Sequence, residues 1–201
     1  MEDTYLTIVS ATVGGFKDKG SKFLAFAYPV ENEDQIAEIQ KQLRKKYYDA
    51  RHQVFAYRLG AEKKIFRASD DGEPANSSGP PVLGQIRSFN LTNVLVVVVR
   101  YFGGVKLGVP GLINAYKTAA YEALHAATVI EKHVELSVHL QFDYLQINEV
   151  MRVLKDENVH IKNQDFQLKC EMELLVKKAN FQRVSEKFNL IRNLAFTLKN
   201  L

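Results

Sequence analysis

Hydrophobic and polar positions change their period several times along the chain, and each change predicts an element. β-Branched and aromatic residues flank the glycine- and charge-rich stretch from Gly14 to Gly20, predicting strands over 5–13 and 22–30 joined as a hairpin. Ile36, Ile39, Leu43 and Tyr47 then recur at three- and four-residue spacing, predicting a helix over 33–48 capped by Asn32. Its acids Glu33 and Asp34 lead and its bases Lys45 and Lys46 trail, as the helix dipole favours. Strands over 52–59 and 64–68 follow around a turn at Gly60 to Lys63, and Pro80-Pro81 can start a short helix near 82–89. Val94 to Val99 is an unbroken apolar run, the pattern of a central strand buried on both faces. Pro110-Gly111 leads into a helix over 112–127, where Ala115, Ala119, Ala120, Ala123, Ala126 and Ala127 keep the surface thin for close packing.

After His133 the period becomes two: Val134, Leu136, Val138, Leu140 and Phe142 alternate with mostly polar residues, as in a half-buried strand. Asp143 can cap a helix over 144–157, and a strand over 159–163 follows. Leu168, Cys170, Met172 and Leu174 alternate as another strand, Asn180 can cap a helix over 181–189, and 194–198 closes as a last strand. The order β-α-β-β-α-β is the split βαβ, or ferredoxin-like, arrangement. The chain therefore reads as α+β with two domains, 1–133 and 134–201, and no internal repeat.

Composition narrows the classes. A 46% hydrophobic content over 201 residues supplies real cores. No run approaches the roughly 20 apolar residues of a membrane helix, and Met-Glu-Asp-Thr is unlike a signal peptide, so no membrane partner and a cytoplasmic location are expected. The single cysteine, Cys170, reads as a small apolar strand residue. The net charge of +4 divides evenly, +2 up to Glu135 (17 basic, 15 acidic) and +2 after it (10 basic, 8 acidic). That balance permits RNA, ribosomes or acidic proteins as partners and demands none of them; no DNA partner is expected.

Two blocks concentrate the candidate chemistry. Asp70, Asp71 and Glu73, beside Gly72 and Pro74, could hold Mg²⁺ or receive a cationic side chain, but they lack the ligand spacing of a calcium loop. Gly103, Gly104, Gly108 and Gly111 lie between a buried strand and a helix start, where backbone N–H groups can hold an anion and Lys106 can add charge. Their spacing matches neither the Walker loop nor the dinucleotide fingerprint. Arg100, Tyr101 and Phe102 can stack on bases or anchor a protein partner; in the plainer reading Phe102 is core and Arg100 pairs with Asp70, Asp71 or Glu73. His52 is the histidine nearest these blocks, but no nucleophile-elbow sequence surrounds Ser69, Ser77 or Ser78. No catalytic residue, metal ligand or cofactor is assigned.

The ordered motifs Arg51-His52-Gln53-Val54-Phe55-Ala56-Tyr57, Asp70-Asp71-Gly72-Glu73-Pro74, Gly79-Pro80-Pro81-Val82-Leu83, Val99 to Gly108, Gly111-Leu112 and Ala115-Tyr116 resemble the IMPACT family, in its YigZ-like bacterial branch. The resemblance spans about residues 15–130 by motif. It implies an N-terminal domain with the ribosomal protein S5 domain 2-like fold and a ferredoxin-like C-terminal domain similar to the last domain of elongation factor G. It also implies a link to translational control, through a large ribosome-associated activator of a stress kinase in eukaryotic relatives. The chain departs from the family pattern at Asn76-Ser77-Ser78 (usually Gly-Thr-Ala), Arg51-His52-Gln53 (usually Thr-His-Asn), Pro110 (usually glycine) and Asn114 (often basic).

The resemblance implies a translation-associated regulator that binds RNA, the ribosome or a translation-control protein, and the nucleophile, metal and nucleotide spacings that fail their patterns make a non-enzymatic role the expectation. Its expected binding surface comprises His52, Asp70, Asp71, Gly72, Glu73, Pro74, Arg100, Tyr101, Phe102, Gly103, Gly104, Lys106, Gly108, Gly111 and Tyr116. The alternative is a nucleotide- or phosphate-binding hydrolase in which the 70–73 carboxylates and the 103–111 turn face each other.

Overall fold

The structure, a computed structural model, describes residues 3–167 and 169–199; Leu168, expected in a strand with Cys170, lies outside them. The chain is of α+β type and divides into two compact units, Met1–Lys132 and His133–Leu201. The first holds β1 (Thr4–Ile8), β2 (Thr12–Asp18), β3 (Ser21–Pro29), α1 (Glu33–Lys46), β4 (His52–Leu59), β5 (Ile65–Ser69), α2 (Gly79–Ser88), β6 (Val94–Tyr101), α3 (Gly108–His125) and β7 (Val129–His133). Five strands form an antiparallel sheet in the order β2-β3-β6-β4-β5, and β1 pairs with β7.

Strand β6 sits at the sheet centre and is buried on both faces, as its apolar run requires. Val94, Val96 and Val98 pack into the core that carries α2 and α3, whereas Leu95, Val97 and Val99 share the opposite core with Ile36 and Leu43 of α1. Asn32 caps α1 as expected: its side chain accepts from the Gln35 N–H at 2.9 Å, while the Gln35 side chain accepts from the Glu31 N–H at 2.8 Å.

The expected first hairpin is displaced. Residues 5–13 split into β1 and β2, and Gly14 and Gly15 lie inside β2 rather than in a turn, which shrinks to Lys19-Gly20. Long-range packing is the reason: a Cβ on Gly14 would lie 2.3 Å from the Ala123 backbone nitrogen of α3, so glycine here marks close approach of helix to strand. Both α2 and α3 begin earlier than expected, at Gly79 and Gly108. Prolines in a first turn cost no hydrogen bond, because the N–H groups there have no partner within the helix.

The second unit contains β8 (Glu135–Asp143), α4 (Ile147–Asp156), β9 (His160–Phe166), β10 (Lys169–Lys177), α5 (Phe181–Asn189) and β11 (Ala195–Leu198). Its antiparallel sheet has the order β11-β8-β10-β9. Cys170 is fully buried among Met172, Leu174, Val150 and Phe188. The expected caps are absent: neither Asp143 nor Asn180 makes a side-chain capping bond. Short 3₁₀ turns, Tyr144–Gln146 and Lys178–Asn180, precede α4 and α5, and Asn180 already has helical backbone angles where a capping residue would be extended.

Candidate functional site

The acidic block follows edge strand β5 and folds back so that each carboxylate meets donors from a different element. Asp70 Oδ1 accepts from the Ser78 N–H (3.0 Å), the Ser78 hydroxyl (2.7 Å) and the Gly79 N–H (2.8 Å), and Oδ2 accepts from the Asn76 N–H (2.8 Å). Asp70 thus supplies the N-terminal cap of α2 from far upstream. Burial alone would raise its pKa, but these bonds prevail and hold it below the usual carboxylate value.

Asp71 ties the block to β4 and α1. Its Oδ2 accepts from the Gln53 N–H at 2.7 Å, and Oδ1 pairs with Arg44 at 3.1 Å. The Asp71 carbonyl lies 2.8 Å from His52 Nδ1; since a carbonyl only accepts, Nδ1 carries the hydrogen. Gly72 sits beside the His52 ring. The serines near the block are also engaged: Ser69 Oγ accepts from the Asp71 N–H, Ser77 donates to the Pro74 carbonyl, and Ser78 donates to Asp70. None of the three is hydrogen-bonded to His52.

Glu73 lies deepest. Its Oε1 receives Arg100 Nη1 at 2.6 Å and the Tyr116 hydroxyl at 2.7 Å, and the Glu73 and Arg100 side chains are only 4% and 8% exposed. Of the three partners open to Arg100 in the plainer sequence reading, the structure selects Glu73. Burial, reinforced by the bond to Glu73, raises the Tyr116 pKa far above its ordinary value, so this phenol is a donor at all working pH. The Arg100 guanidinium lies 5.5 Å from the Phe23 ring centre and 5.7 Å from that of Phe102. Phe102 itself is 56% exposed rather than core.

The glycine block shapes the chain more than it presents it. A Cβ on Gly103 would fall 1.9 Å from the Gly20 carbonyl carbon, so the connection leaving β6 presses directly on the β2–β3 turn. Gly104 takes φ +86°, a conformation that L side chains rarely adopt. Gly111 lies in the first turn of α3, and the Tyr101 hydroxyl donates to Asp49 at 2.8 Å.

Between these walls lies a groove of about 450 Å³ lined by Arg51, His52, Glu73, Pro74, Arg100, Phe102, Lys106, Leu107, Gly108, Val109 and Leu112. Of the residues expected at a binding surface, His52, Glu73, Pro74, Arg100, Phe102, Lys106 and Gly108 line it. Asp71, Gly72 and Tyr116 touch lining residues, His52 and Glu73, without entering the lining, and Asp70, Tyr101, Gly103, Gly104 and Gly111 are not part of it. Sequence reasoning left Arg51, Leu107, Val109 and Leu112 out of the surface. Val109, 46% exposed, stands in the first turn of α3, which the sequence pattern places outside the helix. Among the described residues, no group of three or more His, Cys, Asp or Glu side chains is arranged to hold a metal ion. No helix among them is long and apolar enough to cross a membrane.

Residues 19–124 match the family model described as the Impact N-terminal domain. The chain is 30% identical over 186 residues to the IMPACT family member YvyE of Bacillus subtilis (strain 168), covering 92% of this chain and 86% of that relative. It is 32% identical over 151 residues to the IMPACT family member YigZ of Escherichia coli (strain K12), covering 74% of each. A solved structure described as the crystal structure of a hypothetical protein matches with a TM-score of 0.78 and 26% identity, covering 100% of this chain and 98% of that one.

Proposed function

The chain belongs to the IMPACT family, and on that premise we propose that it is a non-enzymatic, translation-associated regulator that binds RNA, the ribosome or a translation-control protein. The observation that carries this reading is how the charges are used around the groove. Asp70, Asp71 and Glu73 are occupied by protein donors, whereas Arg51 and Lys106 make no ion pair or side-chain hydrogen bond among the described residues. What is free to meet a partner is cationic and apolar. Carboxylates engaged by protein donors are less free to take Mg²⁺, which weighs against the hydrolase alternative.

The first unit is read as ribosomal protein S5 domain 2-like and the second as ferredoxin-like, similar to the last domain of elongation factor G. The strand order β11-β8-β10-β9 supports the second assignment. On the sheet face of that unit turned away from its core, Glu173 gathers Lys162, Lys199 and Ser137, and these bonds, Lys162 first, draw its pKa down to about 2. Lysines neutralised in this way are less available to phosphates, so the binding reading rests on the groove of the first unit.

Co-sedimentation of the full chain with ribosomes from its native cell tests the proposal. Association should be present at low salt and weaken as salt rises. Absence of association at low salt removes the ribosome as the partner, and calorimetric heat on adding nucleotide with Mg²⁺ would favour the hydrolase over the regulator.

A further inference from the structure

We propose that the groove receives an acidic–apolar segment of a protein partner, with a carboxylate side chain held by Arg51, Lys106 and the start of α3 and a neighbouring apolar side chain packed on Phe102, Val109 and Leu112. This deepens the binding reading above and rests on it.

Three independent observations converge on an anion. Arg51 and Lys106 are exposed and unpaired among the described residues. The 18-residue helix α3 begins in the groove with no side-chain cap and no acidic residue in its first turn, so its positive end is uncompensated. Finally, Arg100 lines the groove with its side chain more than nine-tenths buried, and its Nε has no hydrogen-bond partner. A buried donor without an acceptor is costly; this Nε is closed to solvent, so a partner oxygen reaches it only as the exposed Phe102 ring lying against the guanidinium turns aside.

The rest of the lining argues for a peptide as the carrier of that anion. Glu73 is the sole carboxylate in the lining and it is occupied by Arg100 and Tyr116, so the free charge is positive. Pro74, Leu107, Val109 and Leu112 are aliphatic, and an aliphatic wall desolvates a nucleobase's polar edges without giving them partners. Non-specific binding of single-stranded RNA uses successive aromatic platforms. Here the lining has two rings, Phe102 and the His52 imidazole, and both are already engaged, Phe102 by the Arg100 guanidinium and His52 Nδ1 by the Asp71 carbonyl.

The test is selection of random dodecapeptides on the intact chain, with Lys106→Glu as counter-selection. Enriched peptides should place Asp or Glu within a few residues of Leu, Ile, Phe or Trp. A representative synthetic peptide should bind about tenfold more weakly to Lys106→Glu, and to Phe102→Ala or Val109→Ser, all three at exposed positions where folding is retained. The doubly reversed Arg51→Glu/Lys106→Glu chain should prefer the same peptide with its acids replaced by lysine. No enrichment, enrichment of neutral or basic peptides, or equal binding to the variants overturns the proposal. So does displacement of the peptide by an oligouridine at lower concentration, which would make RNA the occupant. Ribosome association measured on the same variants separates the two claims. Its loss in the variants without any peptide selection leaves the binding reading standing and this inference refuted. Peptide selection without ribosome association supports this inference and narrows the binding reading to a protein partner.

Discussion

Replacing Glu73 by Gln isolates the charge at the base of the groove. The amide keeps the size of the side chain and its oxygen can still accept from Tyr116, but nothing then balances the Arg100 guanidinium 2.6 Å away. With these side chains 4% and 8% exposed, water cannot take over that role. Removing one partner of a buried pair costs about 3–5 kcal/mol, and the retained hydrogen bond to Tyr116 places Glu73→Gln near the lower end, about 3 kcal/mol. The first unit spans residues 1–132; at about 2.1 cal/mol/K per residue its unfolding entropy is about 0.28 kcal/mol/K, so its Tm should fall by about 11 °C. Thermal and urea unfolding of wild type, Glu73→Gln, Arg100→Met and the double variant Glu73→Leu/Arg100→Met would measure this. The double variant should lose less than either single change, even though it strands the Tyr116 hydroxyl at about 1–2 kcal/mol. A loss under about 1 kcal/mol for Glu73→Gln, or strict additivity in the double variant, would refute the reasoning. By the same logic Arg100→Ala, which as a partner anchor would weaken binding alone, should chiefly lower Tm.

Asp70→Ala removes the acceptor for the N–H groups at the start of α2 and should cost about 1–2 kcal/mol in urea unfolding. Because the folded pKa of Asp70 lies below its ordinary 3.8, its stabilisation is complete above that value and is lost as pH falls through the lowered one; the variant should lack this part of the acid loss. Gly103→Ala sets a methyl group 1.9 Å from the Gly20 backbone and should cost about 1–3 kcal/mol, because the atoms it meets are main chain and cannot swing aside. In the second unit, Glu173 titrates near 2, so wild type should lose stability between about pH 4.5 and 2; Glu173→Gln should flatten that acid limb in a pH series of melting curves.

What the sequence discloses is what its local period determines. Val94 to Val99, mostly β-branched, is legible as a doubly buried strand, and Asn32 before Glu33 and Asp34 as a helix start, because each signal is complete within a few residues. The failures are places where a distant segment decides. Gly14 looked like a turn because glycine usually is one, but Ala123, over a hundred residues away, is what demands it. The sequence leaves Asp70 and Asp71 open to Mg²⁺ or to a cationic side chain, and their partners, Ser78, Gly79, Gln53 and Arg44, are brought to them by the β4–β5 pairing and the return of the chain into α2. The ion pair between Arg100 and a carboxylate was legible from composition, but its choice of Glu73 needed Tyr116 from α3. Val109 was missed for a related reason, since with α3 expected to begin at residue 112 its true first turn read as loop; Leu112 fell inside the expected helix, where its spacing alone does not show that it lines a groove.

On the proposed function, the cationic and apolar rim of this groove, rather than its buried carboxylate network, meets a component of translation. The most direct measurement is ribosome co-sedimentation at low salt for wild type and Lys106→Glu, after confirming that their melting temperatures agree within about 2 °C, as expected for a surface charge change. Wild type should sediment with ribosomes, and the variant should be largely released at unchanged stability. Equal sedimentation of the two proteins would contradict the account.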